Sequence, residues 1–434
     1  MFFPHPLENV MLLHNLFYDI APKILPVGRK TTVAIRPLFD HVQWHRERHY
    51  ELLLIGREVQ TADPIPLVCD DGALTFTFTP AAEQEYELVL FEIDGDNRQK
   101  KESFNFYAVQ EDLFNTRPWK GDFHVHSCRS DGRETPAYVA ARYRQAGFDF
   151  FALTDHHRYE PSLEASTALK SLDTDFRVYP GEEVHPPSNP VHHINFGGSF
   201  SVNDRHRDKE CYEKEVDLVE ASLEHPELTP AERRILASSI WVFNKIRAAG
   251  GIGLFCHPYW INGNRYNVSE PLIQALFAEL PFDAFELLGG FARSNHEGNA
   301  LQVARWGDER AKGRKIPIVG VSDSHGTENA DLFNWYYTLA LAPTPDFEDL
   351  KTAITSEGAV AVQAIPGECV QIYGPFRIVK FAYFLLREVM PLHDAECAEE
   401  GRLMLKVLAG DEEAAALLAL TRNRVKKLFD HLWA

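Results

Sequence analysis

Residues 121–132 read GDFHVHSCRSDG, and the reading of this stretch decides the fold. Phe123 and Val125 alternate with His124 and His126. In a β-strand alternate side chains point to the same side, so both imidazoles leave one face. Two such histidines can grip one metal ion, and the turn at Asp131-Gly132 can return a carboxylate to the same end. Alone, the pair describes any short strand with surface histidines. Its weight depends on whether other strand ends supply matching ligands.

Beyond this stretch, strands and helices alternate. Thr135-Pro136 opens a helix with a threonine cap and proline in the first turn, and the helix closes near Gly147. DFFALTD (149–155), FRVYPGEEV (176–184), VHHINFGG (191–198), GIGLFCHP (251–258), FDAFELLGG (282–290), IPIVGVSDSH (316–325) and GAVAVQA (358–364) read as apolar strands. Thr229-Pro230-Ala231-Glu232 is a capping box that opens another helix. Repeated βα units with apolar strands imply a parallel sheet, and seven or eight of them favour a closed (β/α) barrel.

Residues 31–110 read differently. TTVAIRPLF, YELLLIG, ALTFTFTP, YELVLFEI and ESFNFYAV are short β-rich runs, separated in places by turns at 70–72 and 94–96. They predict a small β-sandwich over residues 1–116. The barrel is predicted over 117–374 and a helical extension over 375–434. Leu417, Leu418, Leu420, Val425, Leu428 and Leu432 give the last predicted helix an apolar stripe, read as packing on the barrel or, less favoured, as a dimerisation face.

The chain of 434 residues is long enough for two or three units. A formal charge of -19 argues against a long nucleic acid as partner. The six cysteines are scattered and form no CxxC pair, which fits a reduced cytoplasmic interior. The N-terminal stretch lacks a basic segment and cleavage site, so no signal peptide is expected. The apolar tail segment 376–390 carries Arg377, Lys380 and Arg387 and falls short of the ~20 apolar residues of a membrane span.

The predicted strand ends then share a chemistry. They bear His124, His126 and Asp131; Asp155, His156 and His157; Glu182 and Glu183; His192 and His193; His257; and Asp323 and His325. In parallel (β/α) folds the chemistry sits at the carboxyl ends of strands. Histidine and carboxylate without cysteine is the ligand set of catalytic Zn, Mn or Fe sites. So many candidates exceed what one ion can use, and two or three divalent ions are implied. Any one of these histidines alone reads more simply as a hydrogen-bonded or exposed side chain; six matching strand ends do not.

HxH with SDG, TDH, GxE, a histidine before an apolar strand, HP and SDxH together resemble the PHP family, the polymerase and histidinol phosphatase hydrolases. The resemblance covers roughly residues 120–363. It implies a distorted (β/α)7 barrel with two or three ions at the strand ends. Carried over motif by motif, one ion would be held by His124, His126, Glu183 and Asp323. A second would share Glu183 and add His193 and His257; a third would take Asp131, His156 and His325. The family uses Mn, Zn or Fe. His157, Glu182 and the doublet His192-His193 depart from its pattern. Alternation and the apolar run after the doublet favour His193 as ligand, leaving His157, Glu182 and His192 outside the ligand set. The N-terminal β-domain and long loops give a weaker, architectural likeness to the carbaryl-hydrolase-like branch of the family.

The chemistry expected is hydrolysis of a small phosphomonoester or phosphodiester by a metal-bound hydroxide. Arg129, inside the first ligand loop, and Arg158, two residues past His156, are candidates to meet a phosphate, as is Arg293. Each reads equally well as a solvated surface arginine. Asp155 is expected to orient a ligand histidine. The acid that protonates the leaving group is open between bound water and His185. The alternative is hydrolysis of carboxylic or carbamate esters or amides in a pocket lined by Tyr259, Trp260, Phe291 and Trp306. A non-catalytic metal module is the third class, and the intact ligand set argues against it.

Overall fold

The computed structural model describes residues 13–70, 72–328 and 332–434. The N-terminal residues where no signal peptide is expected, and Asp71 of the predicted turn at 70–72, lie outside the described residues. The chain divides into two compact units.

The first unit comprises residues 13–118 with Phe376–Glu396 and Asn423–Ala434. Its strands alternate as their sequences require. In His49–Gly56 (HYELLLIG), Tyr50, Leu52 and Leu54 are buried between more exposed neighbours. This strand pairs antiparallel with Gln84–Asp94, which turns at Gly95-Asp96 into Asn97–Val109. Gly95 adopts φ 59°, the left-handed conformation that a two-residue hairpin needs. Ile24–Pro26 and Ala62–Ile65 complete a five-stranded sheet; Tyr18–Ala21, Thr31–Pro37, Ala73–Phe78 and Val68–Asp70 form a four-stranded one. Val33, Ile35, Leu74 and Phe76 of the smaller sheet share one apolar core with Leu52, Leu54, Leu88, Leu90, Phe104 and Phe106 of the larger.

The C-terminal helices do not form a unit of their own. Phe376–Glu388 lays Phe381 and Phe384 against Tyr107, with ring centroids 5.0 and 5.4 Å apart. Arg424–Leu432 buries Val425, Phe429 and Leu432. Lys23, just before the strand Ile24–Pro26, donates its backbone N–H to Leu432 O at 2.8 Å. The predicted last helix is two helices: Glu412–Ala419 groups with the second unit and leaves Leu417 and Leu420 exposed, while Arg424–Leu432 lies with the N-terminal strands and buries Val425 and Leu432 of the predicted stripe. Residues Cys397–Arg422 group with the second unit.

That second unit, Trp119–Pro375 with Cys397–Arg422, is mixed α/β. One sheet has the order Arg177–Tyr179, Phe150–Ala152, Arg117–Asp122, Tyr336–Ala342, Ala359–Gln363, Gln371–Tyr373; the other runs Gly181–Val184, His192–Phe196, Ile252–Cys256, Ala284–Leu288, Ile318–Gly320. The predicted capping box is present: Thr229 and Glu232 open the helix Pro230–Ala248. Two features differ from a uniform parallel barrel. The strands fall into these two sheets and a separate two-stranded hairpin, Ile261–Asn262 with Arg265–Tyr266, and among the described residues no closed barrel is formed. His192–Phe196 also runs antiparallel to both of its neighbours, Gly181–Val184 and Ile252–Cys256. The reversal has a consequence for the site. His192, at the start of its strand, pairs with Cys256 at the carboxyl end of the next. Isolated bridges Val125–Ser324 and His156–Glu183 link the ends of the two sheets. Asp323 N–H donates to His124 O and Thr154 N–H to Val125 O, both at 2.8 Å.

Candidate metal centre

These links draw the strand ends together around two carboxylates, Glu183 and Asp323. Glu183 is fully buried. Its Oε2 lies 2.7 Å from His156 Nδ1, 3.5 Å from His126 Nε2 and 3.6 Å from His124 Nε2. Its Oε1 lies 2.5 Å from His192 Nδ1 and 3.3 Å from His185 Nε2. Asp323 Oδ1 is 3.0 Å from His126 Nε2 and 3.2 Å from His124 Nε2, and Oδ2 is 3.7 Å from His257 Nε2. A third group forms at the more exposed side, where Asp131 Oδ2 lies 3.4 Å from His156 Nε2 and 3.3 Å from His325 Nε2. Asp323 (φ 56°) and His257 (φ 22°) sit in the left-handed region, unfavourable for their side chains, as occurs where a site dictates the backbone. Gly290 leaves room for them: a Cβ there would stand 3.2 Å from the His257 ring and 3.3 Å from Asp323 Oδ2.

Close as these contacts are, few are hydrogen bonds. Both Glu183 oxygens, His124 Nε2, His126 Nδ1, His192 Nδ1 and His257 Nε2 are buried without a hydrogen-bond partner. Buried polar atoms are nearly always paired, so a cluster of orphans calls for a bound species. Carboxylate oxygens and imidazole lone pairs converging from several elements are the donor set of Zn, Mn or Fe. The residues present therefore fit divalent metal ions.

The electrostatics agree. Burial alone would raise the Glu183 carboxyl, but the imidazoles of His192, His185, His124 and His156 outweigh it and hold it well below the usual range. Burial and the neighbouring His192 push the His257 imidazole down to about 3, leaving it neutral with a lone pair to give.

The structure thus brings together eight of the nine predicted ligands: His124, His126, Asp131, His156, Glu183, His257, Asp323 and His325. The ninth, His193, is a correction. It lies on the opposite face of its strand, with Nδ1 3.2 Å from Val184 O and Nε2 3.0 Å from Ser239 Oγ. His192 faces Glu183 in its place. The apolar run after the doublet misled because both faces of this strand are buried: Ile194 and Phe196 share the His192 face, and Phe196 stacks on Phe123 at 4.3 Å. Glu182 points away from the cluster and accepts hydrogen bonds from Asn195, Ser201, Asn203 and the Val202 N–H.

The predicted catalytic residues do not reach the cluster. Arg129 is exposed, and its guanidinium forms a bidentate pair with Glu164 at 2.7 and 2.8 Å. Arg158 donates to Arg129 O at 2.7 Å. Among the described residues the Asp155 carboxylate bonds to no ligand histidine; it accepts from Ser127 N–H, Ser127 Oγ and Ser130 Oγ and so fixes the loop between His126 and Asp131. Of the proposed apolar lining, Trp260 borders the site, its ring centroid 5.9 Å from His192. Tyr259 spends its hydroxyl on Arg305, and Trp306 donates to Ile316 O.

Sequence reasoning passed over Glu286. It is fully buried, with Oε2 2.8 Å from His124 Nδ1, and so sets which nitrogen of His124 faces Asp323. The available signal was one acid at the centre of an otherwise apolar strand, Ala284–Leu288 (AFELL).

No family model matches the sequence, and no curated protein matches it. Among solved structures, the chain is similar at 16% identity to a two-domain protein of Bacteroides vulgatus described as containing a predicted PHP-like metal-dependent phosphoesterase. That match has a TM-score of 0.39 and covers 57% of this chain and 65% of the other, just under two thirds of its length. A protein of Bifidobacterium adolescentis proposed to be a metal-dependent phosphoesterase is 19% identical, covering 50% of this chain and 93% of the other with a TM-score of 0.34. An amidohydrolase from Chromobacterium violaceum, with bound sulfate and no metal, is also 19% identical, covering 49% and 90% with a TM-score of 0.31. Among the described residues, no helix is long and apolar enough to cross a membrane.

Proposed function

We propose that the protein is a metal-dependent hydrolase of the PHP type acting on a small phosphomonoester or phosphodiester. The observation that supports this reading is the set of buried, unpartnered ligand atoms around Glu183 and Asp323. His124, His126, Glu183 and Asp323 would hold one ion; Glu183, His192 and His257 a second; Asp131, His156 and His325 a third. The ions would supply activated water and polarise the scissile group. The residues themselves fix the geometry: Glu286 orients His124, and Asp155 anchors the loop that presents Asp131. The strand segments 123–126, 150–156, 181–184, 192–196, 252–256, 284–288 and 318–324 would form a distorted seven-membered ring around the site, and the N-terminal strands a β-sandwich of their own. The narrower carbaryl-hydrolase-like likeness rests on architecture alone.

A second reading, hydrolysis of carboxylic or carbamate esters or amides, draws on two observations. Trp260 lies against His192 and His257. Among the described residues, no arginine or lysine pairs with Asp131, Glu183 or Asp323. The deciding experiment is a panel of phosphomonoesters, phosphodiesters and carboxylic and carbamate esters with the manganese-loaded enzyme. Chelator-sensitive turnover of a phosphate ester is expected. Turnover confined to carboxylic or carbamate esters would put the second reading in its place.

A further inference from the structure

The Oε1 side of Glu183 holds an imidazole that the ligand motifs leave out. His185 follows Glu183 by two residues, so alternation sends it to the same side of the extended chain. Its backbone is pinned: His185 N–H donates to Asn203 Oδ1 at 3.2 Å, while Asn203 Nδ2 donates to Glu183 O at 2.9 Å. Its ring centroid lies 4.6 Å from that of His192 and 4.9 Å from that of His156. Only 14% of its side chain is exposed.

The two oxygens of Glu183 divide the imidazoles between them. Oε2 faces His124, His126 and His156; Oε1 faces His192 and His185. Neither oxygen has a hydrogen bond, and on the Oε1 side His192 Nδ1 has none either, while His185 Nε2 contacts His156 Nδ1. We propose that His185 is a metal ligand, joining Glu183 Oε1, His192 and His257 to give the second ion three imidazoles and one carboxylate oxygen. The ring of His257 stands 4.8 Å from that of His192, and its unpartnered Nε2 lies 3.7 Å from Asp323 Oδ2. Four protein ligands are the complement of a tetrahedral zinc site. The inference rests on the reading that the cluster holds at least two ions.

The competing role for His185 is a hydrogen bond. Its Nε2 also lies 2.9 Å from His156 Nδ1, and His156 Nε2 faces Asp131. In that role His185 would steady the third ion and leave the second alone. The two roles separate in full-length protein carrying Asp131→Ala and His325→Ala, which lacks the third group. This parent, loaded with zinc and passed over a desalting column, is expected to retain two zinc ions per chain. Adding His185→Ala should weaken the more loosely held zinc by at least about tenfold in competition with a chromophoric chelator, since even partners one step removed from a metal cost that much. His185→Gln, whose amide oxygen can still accept from His156, should behave like the alanine variant. His157→Ala, in an exposed neighbour, should behave like the parent. If both His185 variants hold two zinc ions within twofold of the parent's affinity, His185 is no ligand. If only the glutamine variant does so, His185 is a hydrogen-bond partner and the proposal falls. A parent that retains fewer than two zinc ions would instead overturn the two-ion reading of the site.

Discussion

Adjacent residues of the strand Gly181–Val184 carry the same carboxylate into opposite surroundings. Glu182, on the side away from the cluster, is buried yet well supplied: Asn195, Ser201, Asn203 and the backbone N–H groups of Val202 and Asn203 all donate to it. Glu183, on the other side, is equally buried and has no hydrogen bond on either oxygen, although imidazoles crowd both. Burial of an acid therefore says little by itself. What separates the two is whether hydrogen bonds complete the oxygens, as they do for Glu182, or leave them facing imidazole nitrogens without one, as at Glu183. The first kind is complete; the second kind is built for a cation.

The largest expected effect tests that contrast directly. Glu183→Ala should reduce the retained metal from two or three ions to one or none and abolish chelator-sensitive turnover. The apo protein should keep its thermal stability, because an unsatisfied buried carboxylate has been removed. Glu182→Ala should do the reverse: it strands several buried donors, costs about 3 kcal/mol of stability, and leaves metal content unchanged. Metal analysis with urea unfolding of both variants measures this. Equal metal loss in the two would mean that the faces of the strand are wrongly assigned.

A buried ion pair in the N-terminal unit offers a third case, a carboxylate completed by a cation of the protein itself. Lys23 Nζ lies 2.8 Å from Glu388 Oε2 and 2.5 Å from Asn15 Oδ1, and Asn105 Nδ2 donates to Glu388 Oε1 at 2.9 Å. Lys23→Met removes the closest cation from the buried Glu388 charge, leaving Arg387 at 3.6 Å, and should cost about 3–5 kcal/mol. Adding Glu388→Leu should recover much of that loss, because replacing both charges removes the stranded one. A double variant no more stable than the single one would show that packing, not the charge, sets the cost.

His192 and His193 repeat the contrast on the neighbouring strand. His192→Ala should release one ion. His193→Ala removes the contacts to Val184 O and Ser239 Oγ, should cost roughly 1–2 kcal/mol, and should leave the metal in place. Loss of metal from the His193 variant alone would restore the original assignment.

These pairs also show how far the chain could be read unaided. The ligand motifs were legible because each marks a strand end, and strand ends converge wherever the strands share a direction. The alternation of β-rich runs before residue 110 with βα units after residue 120 likewise marked two kinds of architecture. His192 escaped because its strand runs antiparallel and is buried on both faces, so hydrophobic pattern could not set the phase. Glu286 escaped because it sits mid-strand, away from any end. The C-terminal helices were visible as amphipathic stretches, but an apolar stripe does not name its partner, and the last one is split, with Arg424–Leu432 on the N-terminal strands.

Arg129 gives the smallest expected effect and the plainest lesson about loops. Its backbone is held near the cluster, since Arg129 N–H donates to Ser127 Oγ at 3.1 Å, and Ser127 is in turn bound to Asp155. The position of a backbone does not fix the direction of a long exposed side chain, and the guanidinium turns outward to Glu164. An exposed pair of this kind is screened by solvent and contributes little to stability. Arg129→Lys should therefore stay folded and metal-loaded, with kcat/KM on any phosphate ester changed by less than about twofold. A guanidinium that met the substrate phosphate would behave differently. Its planar fork cannot be copied by an ammonium, and losing one charge-assisted hydrogen bond would cost roughly 1.5–3 kcal/mol, or ten- to a hundred-fold in rate. Glu164→Gln sharpens the comparison by freeing Arg129 from its partner. If Arg129→Lys lowers phosphate-ester turnover tenfold while a neutral ester is unaffected, Arg129 leaves Glu164 when substrate binds, and the outward pair is its resting position.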